Sequence, residues 1–385
     1  MSDSADIAGN AQAADHFDAR GAAACFALPG ALRSLAPLGN GNVNSTYRVE
    51  CDGPAGPQRF VLQRLNTAVF PRPDRVMANL AAMAEHVAAR LEQGVTDLAG
   101  RRWEVPRVVP VRADGALCLK HGGGIWRMIT FVEGATSRET LSEPGEAREL
   151  GFALGMFHRL IADLAPERLA DTLEGFHVTP RYLAQFDALL RDQPQLEATA
   201  GGVLAEALAF VEARRELVPV LERALASGLL RLRPIHGDPK VNNVLFDTAS
   251  GEAIGLVDLD TVKPGLLQWD IGDALRSGCN RLGEETQDLA AVQFDLQLAE
   301  AVLAGYLQAA GAVLEPADIE FLYPSIRLIA FELGLRFLSD HLAGDVYFRT
   351  RHRGHNLERA LVQFRLTESI EAQESRIRAI IEAAC

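Results

Sequence analysis

The chain has 385 residues, of which 48% are hydrophobic and 23% charged, which excludes a disordered protein and gives enough length for two lobes with substantial cores. Its formal charge of -13 and sequence pI near 5.2 argue against nonspecific binding to nucleic acid or an anionic membrane, because like charges repel. The five cysteines (Cys25, Cys51, Cys118, Cys279 and Cys385) are scattered without C-x-x-C or zinc spacing, which fits a reducing cytoplasm.

In chain order, the polar, acidic start lacks the blocks of a signal peptide, and the Ala-, Gly- and Asp-rich stretch up to about Phe26 predicts a loose end and then a short helix. Next, P-L-G-N-G-N-V-N-S-T-Y-R-V-E, from Pro37 to Glu50, sets Gly39 and Gly41 before an alternating strand around Thr46 to Val49. Glycine lets the backbone approach a phosphate and successive amides can cradle it, so Gly39, Gly41 and Asn44 are candidate nucleotide contacts. Gly-Asn pairs also make ordinary hairpin turns, so the stretch alone does not choose. Arg59 to Leu65 (R-F-V-L-Q-R-L) reads as a second strand carrying Gln63 and Arg64. Pro71 to Gln93 predicts a helix, with Asp74 near its start and Val76, Leu80, Met83, Val87 and Leu91 at three- and four-residue spacing. Glu85 on it is a candidate for an internal charge pair or an exposed residue. Strand-like runs follow at Val105 to Val111, Ala116 to Lys120 and Ile125 to Val132. The last leads into F-V-E-G-A, a candidate hinge holding Glu133, where adenine would bond to main-chain groups.

After Pro144 short strands give way to long helical periods, which marks a boundary near Val132 to Pro144 and predicts an α+β chain. Glu146 to Leu164 is amphipathic, with His158 expected as a structural hydrogen-bonding residue. Further helices are expected at Thr179 to Arg191 and Gly201 to Ser227. Then comes I-H-G-D-P-K-V-N-N-V-L-F-D, Ile235 to Asp247, in which Asp238 precedes Asn243 in the H-x-D-x-x-x-x-N spacing of a phosphoryl-transfer loop. There the Asp accepts a hydroxyl proton and the Asn holds Mg²⁺. Lys240 can put an ammonium near the transferring phosphate, where charge is spread over the equatorial oxygens. H-G-D alone recurs by chance and Asp-Pro favours turns. The combination is stronger, because a hairpin signal at Asp247 to Gly251 returns the chain through a β-like run to Asp258, a second candidate metal ligand.

Leu266 to Arg276 begins a helix whose Asp270 and Asp273 are expected to accept backbone or Arg hydrogen bonds and so fix the loop. Three helices are predicted beyond it, at Glu284 to Ala309, Pro316 to Leu342 and His355 to Ala383, with Gly344 to Phe348 joining the last two. Tyr347 in that loop and Arg336 one helix back are candidates to line a pocket. No uninterrupted apolar run approaches twenty residues, so no membrane span is expected.

The pieces in this order resemble the aminoglycoside phosphotransferase family. Within it, L-Q-R-L-N-T-A-V-F-P at Leu62, D-L-D-T-V-K-P-G at Asp258, L-R-F-L-S-D-H-L-A-G-D-V-Y-F at Leu335 and H-N-L-E-R-A at His355 are similar to the N-acetylhexosamine 1-kinases. The resemblance implies a bilobal protein-kinase-like fold: a small N-terminal lobe, residues 1–132, with an antiparallel sheet and one long helix, and a larger, mainly helical lobe, residues 133–385. It implies ATP and Mg²⁺ as cofactors and a small sugar as partner, the anomeric hydroxyl of N-acetylglucosamine or N-acetylgalactosamine being phosphorylated. Asp238 would be the base, Asn243 and Asp258 the metal ligands, and Arg336 and Tyr347 the sugar contacts, with Asp238 and Asp258 also at the substrate. This sequence departs from the pattern at Gly237, where those kinases have Asn, and at Asn42, near the expected sugar site, where they have His. Gln63 stands where protein kinases present a phosphate-pairing Lys, leaving Arg64, Lys240 or the metal to supply the charge. A kinase for another small alcohol, such as an amino alcohol or an aminoglycoside, and a non-catalytic nucleotide-binding module are the other readings.

Overall fold

A computed structural model describes residues 18–39, 43–94, 100–198 and 200–384. The chain forms two compact units, one of Met1–Gln93, Glu104–Glu133 and Arg168–Leu173, the other of Gly94–Trp103, Gly134–Glu167 and Glu174–Cys385.

In the first unit, α1 (residues 18–25) precedes β1 (Leu32–Pro37), β2 (Ser45–Gly53), β3 (Gly56–Leu65), α2 (Pro73–Glu92), β4 (Val108–Val109), β5 (Leu119–His121) and β6 (Gly124–Thr130). The strands form one antiparallel six-stranded sheet in the order β1-β2-β3-β6-β4, with β5 also paired to β6. Because side chains alternate along a strand, Phe60, Leu62, Trp126 and Met128 share one face and bury a core with Ala19, Ala22, Ala23 and Phe26. Gln63 and Arg127, register partners one residue out of step, point the other way, and Arg127 Nη1 reaches Met77 Sδ of α2. Along α2, Val76, Leu80, Met83 and Val87 are buried as their spacing predicts, and Glu85 is exposed. The predicted elements omit β1, which buries only Leu35 and ends in a proline, so its edge position leaves little alternation to detect.

The second unit contains β7 (Ala135–Thr136), α3 (Pro144–Ile161), α4 (Thr179–Asp192), α5 (Gln195–Ala198), α6 (Gly202–Glu212), α7 (Val220–Ala226), β8 (Arg233–Ile235), β9 (Val244–Asp247), β10 (Ala253–Leu256) and β11 (Lys263–Gly265). Then follow α8 (Leu267–Gly278), α9 (Leu296–Ala310), α10 (Pro316–Glu320), α11 (Leu322–Leu342), α12 (His355–Ala372) and α13 (Glu374–Ala384). Small sheets β10-β9-β7 and β11-β8 carry the loops of interest.

Several predicted helices are shorter than expected. The one predicted over Gly201 to Ser227 is divided into α6 and α7 with Pro219 at the break, since proline has no amide to continue the ladder. The stretch from Glu284 to Phe294 is not α-helical; Asp295 caps α9 by accepting from the amides of Gln297 and Leu298. The helix predicted from Pro316 breaks at Phe321, and the one from His355 breaks at Gln373. Over Leu296–Val313 the chain is apolar and long enough to meet the length and composition of a membrane span. That apolar character serves packing. α9 lies against α3 so closely that a Cβ on Gly151 or Gly305 would strike the backbone of Val302 or Arg148.

Candidate active site

β8 feeds a loop, residues 236–240, that runs through a tight turn at Val241–Asn243 into β9. Within it, Lys240 Nζ lies 2.7 Å from Asp238 Oδ2. Asn243 Nδ2 donates to the Asp238 carbonyl at 2.7 Å and to Oδ2 at 3.2 Å. The loop thus folds its own carboxylate, cation and amide into contact. Burial works against the Lys240 charge, but the carboxylates of Asp238 and Asp258 outweigh it and hold its pKa above the ordinary value. The Val257 amide donates to the Asn243 carbonyl at 2.9 Å, which brings the end of β10 beside the turn. Asp258 follows, exposed and in the left-handed region at φ 60°.

The loop is anchored from below. Buried Asp270 on α8 accepts from the amides of His236 at 2.7 Å and Gly237 at 2.9 Å, and its Oδ2 meets His158 Nε2 at 2.9 Å. His158 Nδ1 meets Tyr306 Oη of α9 at 2.9 Å, so His158 has a structural place, as expected. Burial pushes the Asp270 carboxyl up, yet the hydrogen bonds it accepts from His158 and from the His236 amide help to hold it below the usual range. Gly237 adopts φ 89°, and a Cβ there would lie 2.6 Å from the Thr261 carbonyl oxygen, so glycine at this position fits a conformation that side chains disfavour. Asp273, also buried, accepts at Oδ1 from Arg276 Nε at 2.9 Å and Nη2 at 2.8 Å. Arg276 in turn pairs with Glu284. Both α8 carboxylates therefore accept the kinds of donor the sequence suggests.

Near the far end of α11, the Arg336 guanidinium lies 5.0, 5.0, 5.9 and 5.4 Å from the ring centres of Phe176, Tyr182, Tyr347 and Phe348. Asp340 accepts from the amides of Val346, Tyr347 and Phe348 at 2.9, 2.7 and 2.9 Å, fixing the loop on which exposed Tyr347 stands. The structure thus brings Arg336 and Tyr347 together.

The first unit holds the remaining candidates. Gly39 is exposed at φ 66°, while Gly41 and Asn42 lie outside the described residues. Buried Asn44 accepts from the Asn66 amide at 2.9 Å. Gln63 donates to Thr46 Oγ1 at 3.1 Å and accepts from Arg127 Nε at 2.8 Å. Arg64 is on the other face of β3, its Nε beside Gly124. The cation bonded to Gln63 is therefore Arg127, which no motif indicated; its one signal is a charged residue in an otherwise apolar strand, W-R-M-I. Glu133 forms an ion pair with Arg59, Oε1 accepting from Nε at 2.9 Å.

For a divalent cation, Asn243 commits its amide nitrogen to Asp238 and has its amide oxygen to offer, and Asp258 presents a carboxylate. Two hard oxygen donors suit Mg²⁺, which takes one or two carboxylates and completes its shell with phosphate and water. Among the described residues, no group of three or more His, Cys, Asp or Glu forms an all-protein metal site.

A sequence model described as the phosphotransferase enzyme family matches residues 34–325. Among solved structures, a microcompartment-associated aminopropanol kinase is similar with TM-score 0.60 at 20% identity, over 94% of this chain and 98% of its own. An aminoglycoside phosphotransferase from Alicyclobacillus acidocaldarius gives 0.57 at 18% identity, over 94% and 96%. A spectinomycin phosphotransferase in complex with ADP and spectinomycin gives 0.51 at 12% identity, over 90% and 94%. At these identities the likeness is one of fold: the expected α+β, protein-kinase-like architecture, with an antiparallel sheet in the N-terminal region and a helical C-terminal part.

Proposed function

This chain belongs to the phosphotransferase enzyme family, and we propose that it transfers the γ-phosphoryl group of ATP to the anomeric hydroxyl of N-acetylglucosamine or N-acetylgalactosamine. The products are ADP and the sugar 1-phosphate. The observation that carries the reading is the contact of Asp238 with Lys240 and Asn243 inside one short loop. These contacts use Oδ2 of Asp238, which leaves Oδ1 to take the acceptor's proton. The sugar oxygen attacks the γ-phosphorus in line, its proton passes to Asp238, and the bond to the β-phosphate oxygen breaks. No covalent enzyme intermediate forms. Lys240 keeps its charge and stabilises the equatorial oxygens of the transferring group. Mg²⁺, held by Asn243 and Asp258, would neutralise phosphate charge when bound.

For the nucleotide, Gly39, Gly41 and Asn44 are the assigned phosphate contacts, with Gln63 and Glu133 on the same unit. Arg127, bonded to Gln63, takes over from Arg64 as the compensating cation, because alternation points Arg64 away from Gln63. Acceptor choice rests on Arg336 and Tyr347, with Asn42 as a further candidate contact. A guanidinium surrounded by four rings presents donors to hydroxyl and acetamide oxygens. The same charge repels an ammonium, which argues against an amino alcohol such as the acceptor named for the aminopropanol kinase.

An ADP-release assay with Mg-ATP against N-acetylglucosamine, N-acetylgalactosamine, glucose, choline, aminopropanol and an aminoglycoside tests this, with phosphorus NMR on any product. The expected result is a sugar 1-phosphate signal from an N-acetylhexosamine. Turnover of a cationic acceptor alone would overturn the acceptor and leave the phosphotransferase; ATP binding without any turnover would favour a non-catalytic module.

A further inference from the structure

His236 begins the loop that carries Asp238 and His158 and His177 support it, and their partners demand different protonation. His236 Nδ1 accepts from the Asp238 amide at 3.2 Å and Nε2 donates to the Val257 carbonyl at 3.0 Å, so one ring proton suffices. Burial, against the charges of Asp270 and Asp238, holds its pKa below the ordinary value. His158 bonds a carboxylate and a hydroxyl, and the hydroxyl can donate, so one proton again suffices. His177 is different. Its Nε2 faces the Gly237 carbonyl oxygen at 2.7 Å and its Nδ1 faces Glu332 Oε1 at 2.9 Å. The other oxygen of Glu332 accepts from Thr179 Oγ1 at 2.7 Å. A carbonyl and an ionised carboxylate only accept, so both ring nitrogens must donate.

We propose that His177 is a buried imidazolium that positions the catalytic loop, donating to the Gly237 carbonyl from one nitrogen and to Glu332 from the other, so that Asp238, the next residue, is correctly placed only while the ring stays protonated. The proposal rests on Asp238 acting as the base. His177 itself adopts φ 65°, a conformation uncommon outside glycine, held between Phe176 and Trp269 at ring separations of 4.1 and 5.9 Å. A neutral ring has a single N–H. The carboxylate is the stronger acceptor and takes it, which turns a lone pair on the Gly237 oxygen.

Glu332 from α11 and Asp273 from α8 face the ring with negative charge. Glu332 in turn faces Arg336 of its own helix, Tyr182 of α4 and Glu222 of α7. Burial opposes the charge on His177, but the charge and hydrogen bond of Glu332 outweigh it and raise the pKa. Burial likewise pushes Glu332 up, and the charge and hydrogen bond of His177 bring it below the ordinary value, so the carboxylate is ionised. Burial lifts Glu222 to about 7. A folded pKa raised above the unfolded value of about 6.5 leaves the contact complete at lower pH and loses it as pH rises through the folded value. The consequence is an alkaline limb in turnover.

Nitrogen-15 NMR of histidine-labelled protein reads the ring whatever acceptor the enzyme uses. Near neutral pH both His177 nitrogens are expected to carry protons, in a signal identified by its loss in His177→Asn; a singly protonated ring overturns the proposal. Glu332→Gln gives the second test. Its amide donates to Nδ1 and accepts from Thr179, so a neutral ring keeps its bond to Gly237. As pH rises above neutrality, kcat is expected to fall severalfold in the wild type and within about twofold in Glu332→Gln. An equal fall in both sinks the idea. If no acceptor turns over, the NMR result still decides the state of His177, and only the proposed function fails.

Discussion

Asp238, Lys240 and Asn243 lie within six consecutive residues, which is why their chemistry is legible in sequence: the turn that joins β8 to β9 needs no distant partner to bring them into contact. Replacing Asp238 by Asn keeps the shape and the contacts to Lys240 and Asn243 but removes the proposed base. Asp238→Asn is expected to lower kcat by about 10²- to 10⁴-fold, the usual worth of a positioned proton acceptor. Mg-ATP affinity, read by calorimetry, should stay within about twofold of wild type, since the substitution leaves Asn243 and Asp258 intact. Turnover near wild type would remove Asp238 from its role. Arg127 and His177 illustrate the opposite case, because each acquires its partners from an element far along the chain: Gln63 for the first, Glu332 and Gly237 for the second. No spacing marks such pairs.

At the scale of elements, α8 acts as the foundation of the loop. Its first turns bury Asp270 where two loop amides and His158 converge. Asp270→Ala would leave those amides and a buried imidazole without their acceptor. Chemical denaturation should register a loss of about 3–5 kcal/mol, as expected when one partner of a buried ionic contact is removed. An unchanged midpoint would mean that the loop is held by other contacts. Periodicity located α2, α3 and α4 well, although their burial differs: α2 buries one face, α3 is buried on nearly every side from Leu150 to Ile161, and α4 buries only Thr179 and Phe186. It overran the C-terminal helices, whose helix-compatible residues continue across the breaks at Phe321 and Gln373. Those breaks do not interrupt composition, so pattern alone joined what the backbone separates.

For the whole molecule, the depressed carboxyls set the acid limit. Asp270 and Glu332 sit below their ordinary values, and Glu284, pushed up by burial but drawn down by Arg276, Arg359 and Lys240, reaches about 2. A depressed folded pKa contributes stability that is present above the unfolded value and lost as pH falls through the folded one. The raised values of His177 and Glu222 act the other way, adding stability as pH drops from about 7 toward 5. Urea midpoints should therefore peak near about pH 5 and fall between about pH 4 and 2. Midpoints that climb steadily toward about pH 3 would contradict this balance. The sequence by itself determined the α+β order of elements and the loop of Asp238, Lys240 and Asn243, because alternation, helical spacing and a short turn are local properties. Only the tertiary structure decided that Arg127 stands beside Gln63 while Arg64 points away, that Asp270 carries the loop, and that His177 faces two acceptors. Register, burial and side-chain pairing across 34 to 155 residues arise from packing, which a linear pattern does not encode.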